Sequence, residues 1–262
     1  MAKVKIITIN TWKCDGDYYR RISLLAEQLK ALKPDIIACQ ECFISEEAPH
    51  ADTLKFLAGQ LNMNYLFASG RSKRRYFEGK WVDSLSGLGI LSVYPLTNVN
   101  TINLPAIAED NDRKAQQVEV LLPDREKLLI TNVHLTHLKN TELRKKQAEF
   151  VADKTKSLQN YPYSIVCGDF NAEPDSAEIK AFVSDSHAID CYTAGDGYEP
   201  RYSLMENLQQ KRHVCVDHIF ALPFTNGAYP KFTDSAIVLN QPDATGVYPS
   251  DHFGISTTLL ME

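Results

Sequence analysis

The segment YSIVCGDFN, at residues 163–171, gives the clearest indication of how this chain folds. Its apolar start is typical of a buried strand, and polar side chains arrive only at its end, with Asp169 and Asn171. Gly, Asp and Asn are also common turn residues. Taken alone, the segment is therefore compatible with an ordinary strand-end turn or with one wall of a metal site.

The same pattern recurs along the chain. Strands are predicted at 4–12, 35–41, 88–96, 116–123, 127–135, 163–171, 216–222 and 253–260. Helices are predicted at 17–33, 51–62, 142–159 and 176–185, the first from apolar residues at three- and four-residue spacing such as Ile22, Leu25 and Leu29. The middle of the chain, 88–135, is typical of a hairpin-rich meander. No linker or repeat divides the sequence, so we expect a single domain over 1–262 in which sheet packs on sheet with helices outside.

Composition excludes few classes of function. The chain has 44% hydrophobic and 23% charged residues and a net charge of −5, which counts mildly against non-specific binding of duplex nucleic acid but does not exclude a nuclease. No signal-peptide pattern is visible, and no segment approaches the ~18 apolar residues of a membrane span. The six cysteines are scattered apart from one CxxC, Cys39 with Cys42. We expect free thiols, a cytoplasmic monomer and no transmembrane segment.

Polar residues collect where the predicted strands end. These residues are Asn10, Glu41, His134, Asp169 with Asn171, and Asp217, and a further pair, Asp251 and His252, precedes the last strand. One such residue would mean little, but residues held at the ends of a rigid sheet are often functional. The collective pattern therefore predicts a site at one edge of the sheets.

The residue types indicate the chemistry of that site. Its oxygen donors are Asn10, Glu41, Asp169, Asn171 and Asp251, a set that Mg²⁺ or Mn²⁺ prefers and that zinc does not. His134 and His252 are candidate acids or phosphate ligands, and Asp217 could accept a hydrogen bond from a histidine ring. This combination suits attack of water on phosphorus.

Seven motifs, in order along the chain, resemble those of the endonuclease/exonuclease/phosphatase superfamily. They are TINTW, ACQE, SGLGILSVYPL, TNVHL, GDFN, VDHIF and SDHFG, and they span essentially the whole sequence. The superfamily includes deoxyribonuclease I, exonuclease III, apurinic endonucleases, neutral sphingomyelinases and inositol polyphosphate 5-phosphatases. The resemblance implies a deoxyribonuclease I-like four-layer α/β sandwich, with two packed mixed β-sheets flanked by helices and the site at one edge.

The resemblance also implies roles for the matching residues. Glu41 corresponds to the principal metal ligand, with Asn10 beside it and Asp251 as a second carboxylate on the metal side. Asp169 corresponds to the residue that orients or deprotonates the attacking water, and Asn171 to the amide that holds the phosphate.

The remaining roles belong to three further residues. His252 corresponds to the imidazole on the scissile phosphate, with Asp217 behind it. His134 matches a histidine of the sphingomyelinase and nuclease branches.

The function implied is hydrolysis of a phosphodiester with Mg²⁺ or Mn²⁺, and nucleic acid is the first expectation for the substrate, cut in endo- or exonuclease fashion. A sphingomyelin-type phospholipid or a small phosphodiester is the alternative. A non-catalytic binding module on the same fold is a further alternative, although that class predicts substitutions in the polar set, and every member is present. The signature strings of the inositide 5-phosphatases are missing, which counts against that branch.

The segment RSKRRYFEGKW, at 71–81, leaves two interpretations open. Its five basic residues, interleaved with Tyr76, Phe77 and Trp81, suit single-stranded nucleic acid or a phosphorylated headgroup, and a solvated loop explains them equally well. For two other histidines the structural interpretation is favoured: His137 is expected at a rim, and His218 on the strand face opposite Asp217.

Overall fold

The computed structural model describes residues 3–158, 161–205, 213–223 and 228–261. Within them the strands are β1 (Lys3–Asn10), β2 (Ile36–Ile44), β3 (Asn64–Phe77), β4 (Lys80–Ser92), β5 (Leu96–Asn103), β6 (Lys114–Leu121), β7 (Lys127–His134), β8 (Tyr163–Asp169), β9 (Ile189–Asp190), β10 (Asp217–Ala221), β11 (Lys231–Val238) and β12 (Gly254–Leu260). The helices are α1 (Tyr18–Leu32), α2 (Thr53–Leu61), α3 (Thr141–Lys156), α4 (Ala177–Ser186) and α5 (Cys191–Ala194), and Pro123–Arg125 forms a 3₁₀ turn.

The described strands form two six-stranded mixed sheets. The first sheet has the order β11-β12-β1-β2-β4-β3, and the second has the order β5-β6-β7-β8-β10-β9. β1 pairs with β2 and β7 with β8 in parallel, whereas β10 runs antiparallel to β8 and β12 antiparallel to β1. As a result, the carboxyl ends of β1, β2, β7 and β8 lie at the same edges as the amino ends of β10 and β12.

Alternation along the strands places apolar side chains on both faces of each sheet. In β1, Ile6 packs between the two sheets while Ile7 packs under α1 and α2. In β8, Ile165 packs between the sheets while Val166 packs under α3 and α4. Strands buried on both faces need continuous apolar sequence, which explains the apolar runs. The layers are therefore helix, sheet, sheet, helix.

A buried polar contact joins the two sheets just below the strand ends. The Gln40 side-chain amide of β2 donates to Asn132 Oδ1 of β7 at 2.8 Å, and the Asn132 amide donates to the carbonyls of Cys39 and Gly89. Because buried amides are costly without partners, this contact fixes how the two sheets align. It therefore fixes the relative position of residues that project from the edge of either sheet.

The predicted four-layer sandwich of two mixed sheets is confirmed, and so are the four longer helices to within a few residues. The interpretation of 71–81 as a solvated loop is wrong, because these residues belong to a long β3–β4 hairpin. The segment predicted as one strand at 88–96 covers the end of β4 and the start of β5, which lie in different sheets. In the described part of the chain, no helix has the length and apolar character needed to cross a membrane.

Candidate active site

Asp169 lies at the centre of the polar cluster, where three strands meet. The strand pairing places it opposite His134 of β7 and opposite Asp217 of β10. Gly168 makes this possible, because its φ is +135° and a Cβ there would lie 2.1 Å from the Val133 carbonyl oxygen. The glycine of the GDFN motif therefore lets β8 approach β7 closely at the point where Asp169 turns into the site.

Asp169 is buried and held by side-chain and backbone donors. Its Oδ2 accepts from the Asn10 side-chain amide at 3.1 Å and lies 3.4 Å from His134 Nε2. Its Oδ1 accepts from the Asn171 backbone amide at 2.8 Å. The Asn171 side chain donates to the Leu135 carbonyl, so it holds the loop after β7 against the loop after β8.

His252 and Asp217 form a buried ion pair beside Asp169. His252 Nδ1 lies 2.8 Å from Asp217 Oδ2. Burial alone would lower the pKa of His252, but the charges of Asp217, Asp169 and Asp251 outweigh it and raise the pKa to about 10. His252 is therefore an imidazolium at neutral pH, with Nδ1 committed to Asp217 and Nε2 on the opposite side of the ring.

Burial has the opposite consequences for the other two titrating groups. Burial and then the charge of Asp217 raise the pKa of Asp169 to about 7, although His252 and the donors to its carboxylate oppose the shift. Burial, Arg113 and His252 together lower the pKa of His134 well below its ordinary value. At neutral pH the site therefore combines a neutral histidine, a charged histidine and a carboxylate close to its titration midpoint.

Glu41 and Asp251 provide further carboxylates in the same cleft. Burial raises the pKa of Asp251, and the nearby charge of Glu41 adds to the rise. Glu41 sits at an irregularity in the pairing of β2 with β4, with a left-handed φ of 54° that a non-glycine residue rarely adopts. Its carboxylate contacts the ammonium group of Lys13 at 2.5 Å. The two acids are thus close enough to repel, and a cation already lies on one of them.

The donor atoms allow a metal ion. Among the described residues, Asp169, Asp217 and His252 offer ligand atoms that all lie within 4.8 Å of one another. Asp217 Oδ1 is buried there without a hydrogen-bond partner in the described part of the chain. However, an imidazolium has no free lone pair with which to bind a metal, so a cation would depend on the oxygen donors unless His252 lost its proton.

All eight residues predicted for the site lie together at one edge of the sheets. A cleft of about 680 Å³ is lined by Asn10, Glu41, His134, Asp169, Asn171, Asp251 and His252. Asp217 lies behind His252, fully buried. His137 is at the exposed rim, next to Arg113, and His218 is buried on the other face of β10 against the Ala172 carbonyl, as expected for both. All six cysteines are free and buried.

Sequence reasoning missed two basic residues that organise the site. Lys13 is one, and nothing in the pattern around TINTWK marks a lysine as a partner of Glu41. Arg21 is the other: it is 2% exposed, and its guanidinium donates to the backbone carbonyls of Thr11, Trp12, Lys13, Asp15 and Pro249. It therefore ties the loop after Asn10 to the segment before Asp251. The only signal was an arginine on an otherwise apolar stripe of α1.

The chain matches the Endonuclease/Exonuclease/phosphatase family over residues 7–252. No curated protein matches it by sequence. A family protein of known structure from Bacteroides thetaiotaomicron is 18% identical, with a TM-score of 0.78 over 100% of this chain and 96% of that one. A mannosyl-6-phosphatase from the same species is 20% identical, with a TM-score of 0.74 over 98% and 100%.

A third solved structure is that of D. rerio TDP2 in complex with a single-strand DNA product. It is 22% identical to this chain, with a TM-score of 0.71 over 100% of both chains. At these identities the structural matches show a common fold and nothing more.

Proposed function

We propose that this chain, which belongs to the endonuclease/exonuclease/phosphatase family, is a Mg²⁺- or Mn²⁺-dependent phosphodiesterase that hydrolyses nucleic acid. The observation that carries the proposal is the buried Asp169, with a neutral His134 on one side and the His252–Asp217 ion pair on the other, at one end of an open cleft. That arrangement offers a proton acceptor and two phosphate-binding imidazoles within one site.

Glu41, Asp251 and Asn10 would hold the cation. They supply only oxygen donors, the two carboxylates repel each other, and both line the cleft. The bound cation would supply positive charge to the phosphoryl oxygens. His252 is not assigned as a ligand, because its ring is an imidazolium hydrogen-bonded to Asp217.

The protein side chains have distinct parts in the reaction. Asp169 takes a proton from the attacking water, and its pKa of about 7 suits a base that works near neutral pH. The Asn10 side chain and the Asn171 backbone amide orient its carboxylate. One side-chain N–H of Asn171 donates to the Leu135 carbonyl, and the other would donate to the phosphate in the cleft. His252 donates from Nε2 to a phosphoryl oxygen while Asp217 keeps the ring charged and oriented. His134 donates to a second phosphoryl oxygen.

The test is hydrolysis of bis-p-nitrophenyl phosphate with EDTA, Mg²⁺ or Mn²⁺. We expect activity with either metal and none with EDTA, and loss of most activity in Glu41→Ala and His252→Ala. Glu173→Ala is the matched control, because this exposed acid belongs to the same GDFNAEP segment but does not line the cleft. Hydrolysis that is equal with EDTA and with metal refutes the proposed metal dependence. Hydrolysis that is absent in all three conditions refutes the proposal and leaves the non-catalytic module.

A second measurement identifies the substrate. The screen compares single- and double-stranded DNA, RNA and abasic DNA with sphingomyelin, phosphoinositides and a sugar phosphomonoester. The last is included because one structural neighbour is a mannosyl-6-phosphatase, whereas the neighbour with a single-strand DNA product favours nucleic acid. Higher specificity for sphingomyelin or another small ester would replace nucleic acid with the alternative substrate class. That residues 1–262 form one monomeric, cytoplasmic domain stays a prediction.

A further inference from the structure

We infer that the β3–β4 hairpin, through Tyr76, Trp81 and the cations beside them, is a binding platform for the unpaired bases and phosphates of a single-stranded oligonucleotide. The inference rests on the proposed function and adds to it a binding surface and a preference for single strands. The shape, exposure and charge of residues 71–81 support this binding surface.

The hairpin is anchored along the protein at its turn. Phe77 packs against Tyr18 and Phe43, with ring centroids 5.5 and 5.2 Å apart. The Glu78 carboxylate accepts from the Tyr19 hydroxyl at 2.9 Å, and Lys80 Nζ donates to the Glu47 carbonyl at 3.2 Å. The hairpin therefore lies along the protein as a fixed wall of the cleft.

Two aromatic rings are exposed on this wall. Tyr76 pairs with Trp81 across the hairpin, and their rings are 5.8 Å apart in an edge-on arrangement. They are 63% and 58% exposed, whereas Phe77, next to Tyr76 and on the opposite strand face, is buried. Both rings line the same cleft as Asp169 and His252. Large exposed aromatic side chains beside a catalytic cleft usually mark a binding surface.

The charge around the rings complements phosphate. Six basic residues line this part of the cleft: Arg71, Lys73, Arg74, Arg75, Arg113 and Lys114. Three of these already have partners within the protein. Arg71 and Arg113 form ion pairs with Asp110, and Arg75 donates hydrogen bonds to serine hydroxyls. Within the described residues Lys73 and Lys114 form no ion pair. Arg74 has only an exposed contact with Asp83 at 3.5 Å, which contributes little. Local positive charge therefore offsets the negative charge of the whole chain.

Single strands fit this surface better than duplexes or bilayers. In a duplex the faces of the bases are stacked on one another, so exposed rings have nothing to stack on, whereas unpaired bases offer those faces. Insertion into a bilayer would require an apolar hairpin tip. Here the turn is Glu78 and Gly79, followed by Lys80, and the two charged side chains bond to the body of the protein.

The test measures binding apart from catalysis. Fluorescence anisotropy, in the presence of EDTA, measures the affinity for labelled oligothymidylate, for oligouridylate and for a DNA duplex of equal length. A flotation assay measures binding to phosphatidylcholine/phosphatidylserine vesicles. We expect single strands to bind more tightly than the duplex. Trp81→Ala and Tyr76→Ala should each weaken single-strand binding by roughly 5- to 100-fold. Trp81→Phe, which retains a stacking face, should recover most of the loss, and Lys73→Gln should reduce the salt dependence.

Tyr198→Ala is the matched control, because this tyrosine is 83% exposed but lies outside the cleft. This variant should bind single strands with the same affinity as the wild type. Equal affinity in the two hairpin variants, equal affinity for the duplex, or tighter binding to vesicles would overturn the inference. The DNA and RNA arms identify which strand is preferred. Failure of the wild type to hydrolyse bis-p-nitrophenyl phosphate would instead refute the proposed function, and the binding measured with EDTA would still decide this inference.

Discussion

Replacing Asp217 with asparagine tests whether this residue acts through its charge. The wild-type pair holds the pKa of His252 at about 10, against burial, with Asp217 as the largest favourable charge. The amide introduced by Asp217→Asn would keep an oxygen that accepts from Nδ1 but would carry no charge. With burial unchanged, we expect the pKa of His252 to return to an ordinary ~6.5 or below.

The size of the effect follows from the fraction of imidazolium. With a pKa of ~6.5, about 3% of the His252 rings are protonated at pH 8 and about three-quarters at pH 6. The wild type stays protonated at both. Asp217→Asn should therefore lose about 30-fold in kcat/KM at pH 8 but less than about 2-fold at pH 6. The assay is hydrolysis of bis-p-nitrophenyl phosphate across this range, with samples quenched in alkali before p-nitrophenolate is read.

Asp217→Asn should also lower the free energy of unfolding, but with the opposite pH dependence. The pKa of His252 is raised on folding, so the stability that the ion pair contributes is fully present below ~6.5 and is lost as the pH rises through about 10. The difference in free energy of unfolding between wild type and variant should therefore narrow towards alkaline pH. Urea denaturation at several pH values measures it.

Two results would refute this reasoning. An equal loss of activity at pH 6 and pH 8 would mean that Asp217 only positions the ring, and a ¹⁵N signal of neutral His252 in the wild type at pH 8 would contradict the raised pKa. Asp190→Asn is the control, because Asp190 also bonds a buried cation, Arg201, but lies outside the cleft. It should cost stability without changing the pH profile.

Three further variants address other parts of the site. Asp169→Asn should abolish activity yet raise the free energy of unfolding at pH 8 with EDTA. Burial raises the pKa of Asp169, so its ionised form destabilises the fold once the pH exceeds that pKa, and the neutral amide removes this cost. The gain should vanish near pH 4 in urea denaturation, and a less stable variant at pH 8 would contradict the argument. Arg21→Met should lower the free energy of unfolding, measured with urea, by about 3 kcal/mol or more, because the backbone carbonyls that Arg21 bonds would lose their donor. It should also weaken Mn²⁺ binding in calorimetry, and an unchanged Mn²⁺ affinity would limit Arg21 to a structural role. Lys13→Met should tighten Mn²⁺ binding several-fold in calorimetry, because it removes a competing cation from the Glu41 carboxylate. Weaker binding would show that Lys13 does not compete with the metal.

The strand ends could be predicted because their signal is local. A buried strand needs apolar residues, so a polar residue at its end stands out, and the antiparallel register then brings Asp217 opposite Asp169. The β3 strand could not be predicted in the same way. Its outer half, RSKRRYF, has too few apolar residues to show alternation, and its conformation comes from pairing with β4. The role of Arg21 also depends on tertiary structure, since its five carbonyl acceptors converge only after folding.

Several residues of the site break local rules of conformation or burial, and this has a physical reason. Glu41 and Asn171 both have a positive φ, Asp169 is a buried carboxylate, and Asp217 Oδ1 is buried without a partner among the described residues. Each feature lowers stability, and each places a charged or amide group in the cleft or directly behind it. Because the double sandwich buries both faces of both sheets, it can tolerate these costs at one edge. Substitutions that relieve them should therefore stabilise the fold and reduce activity together.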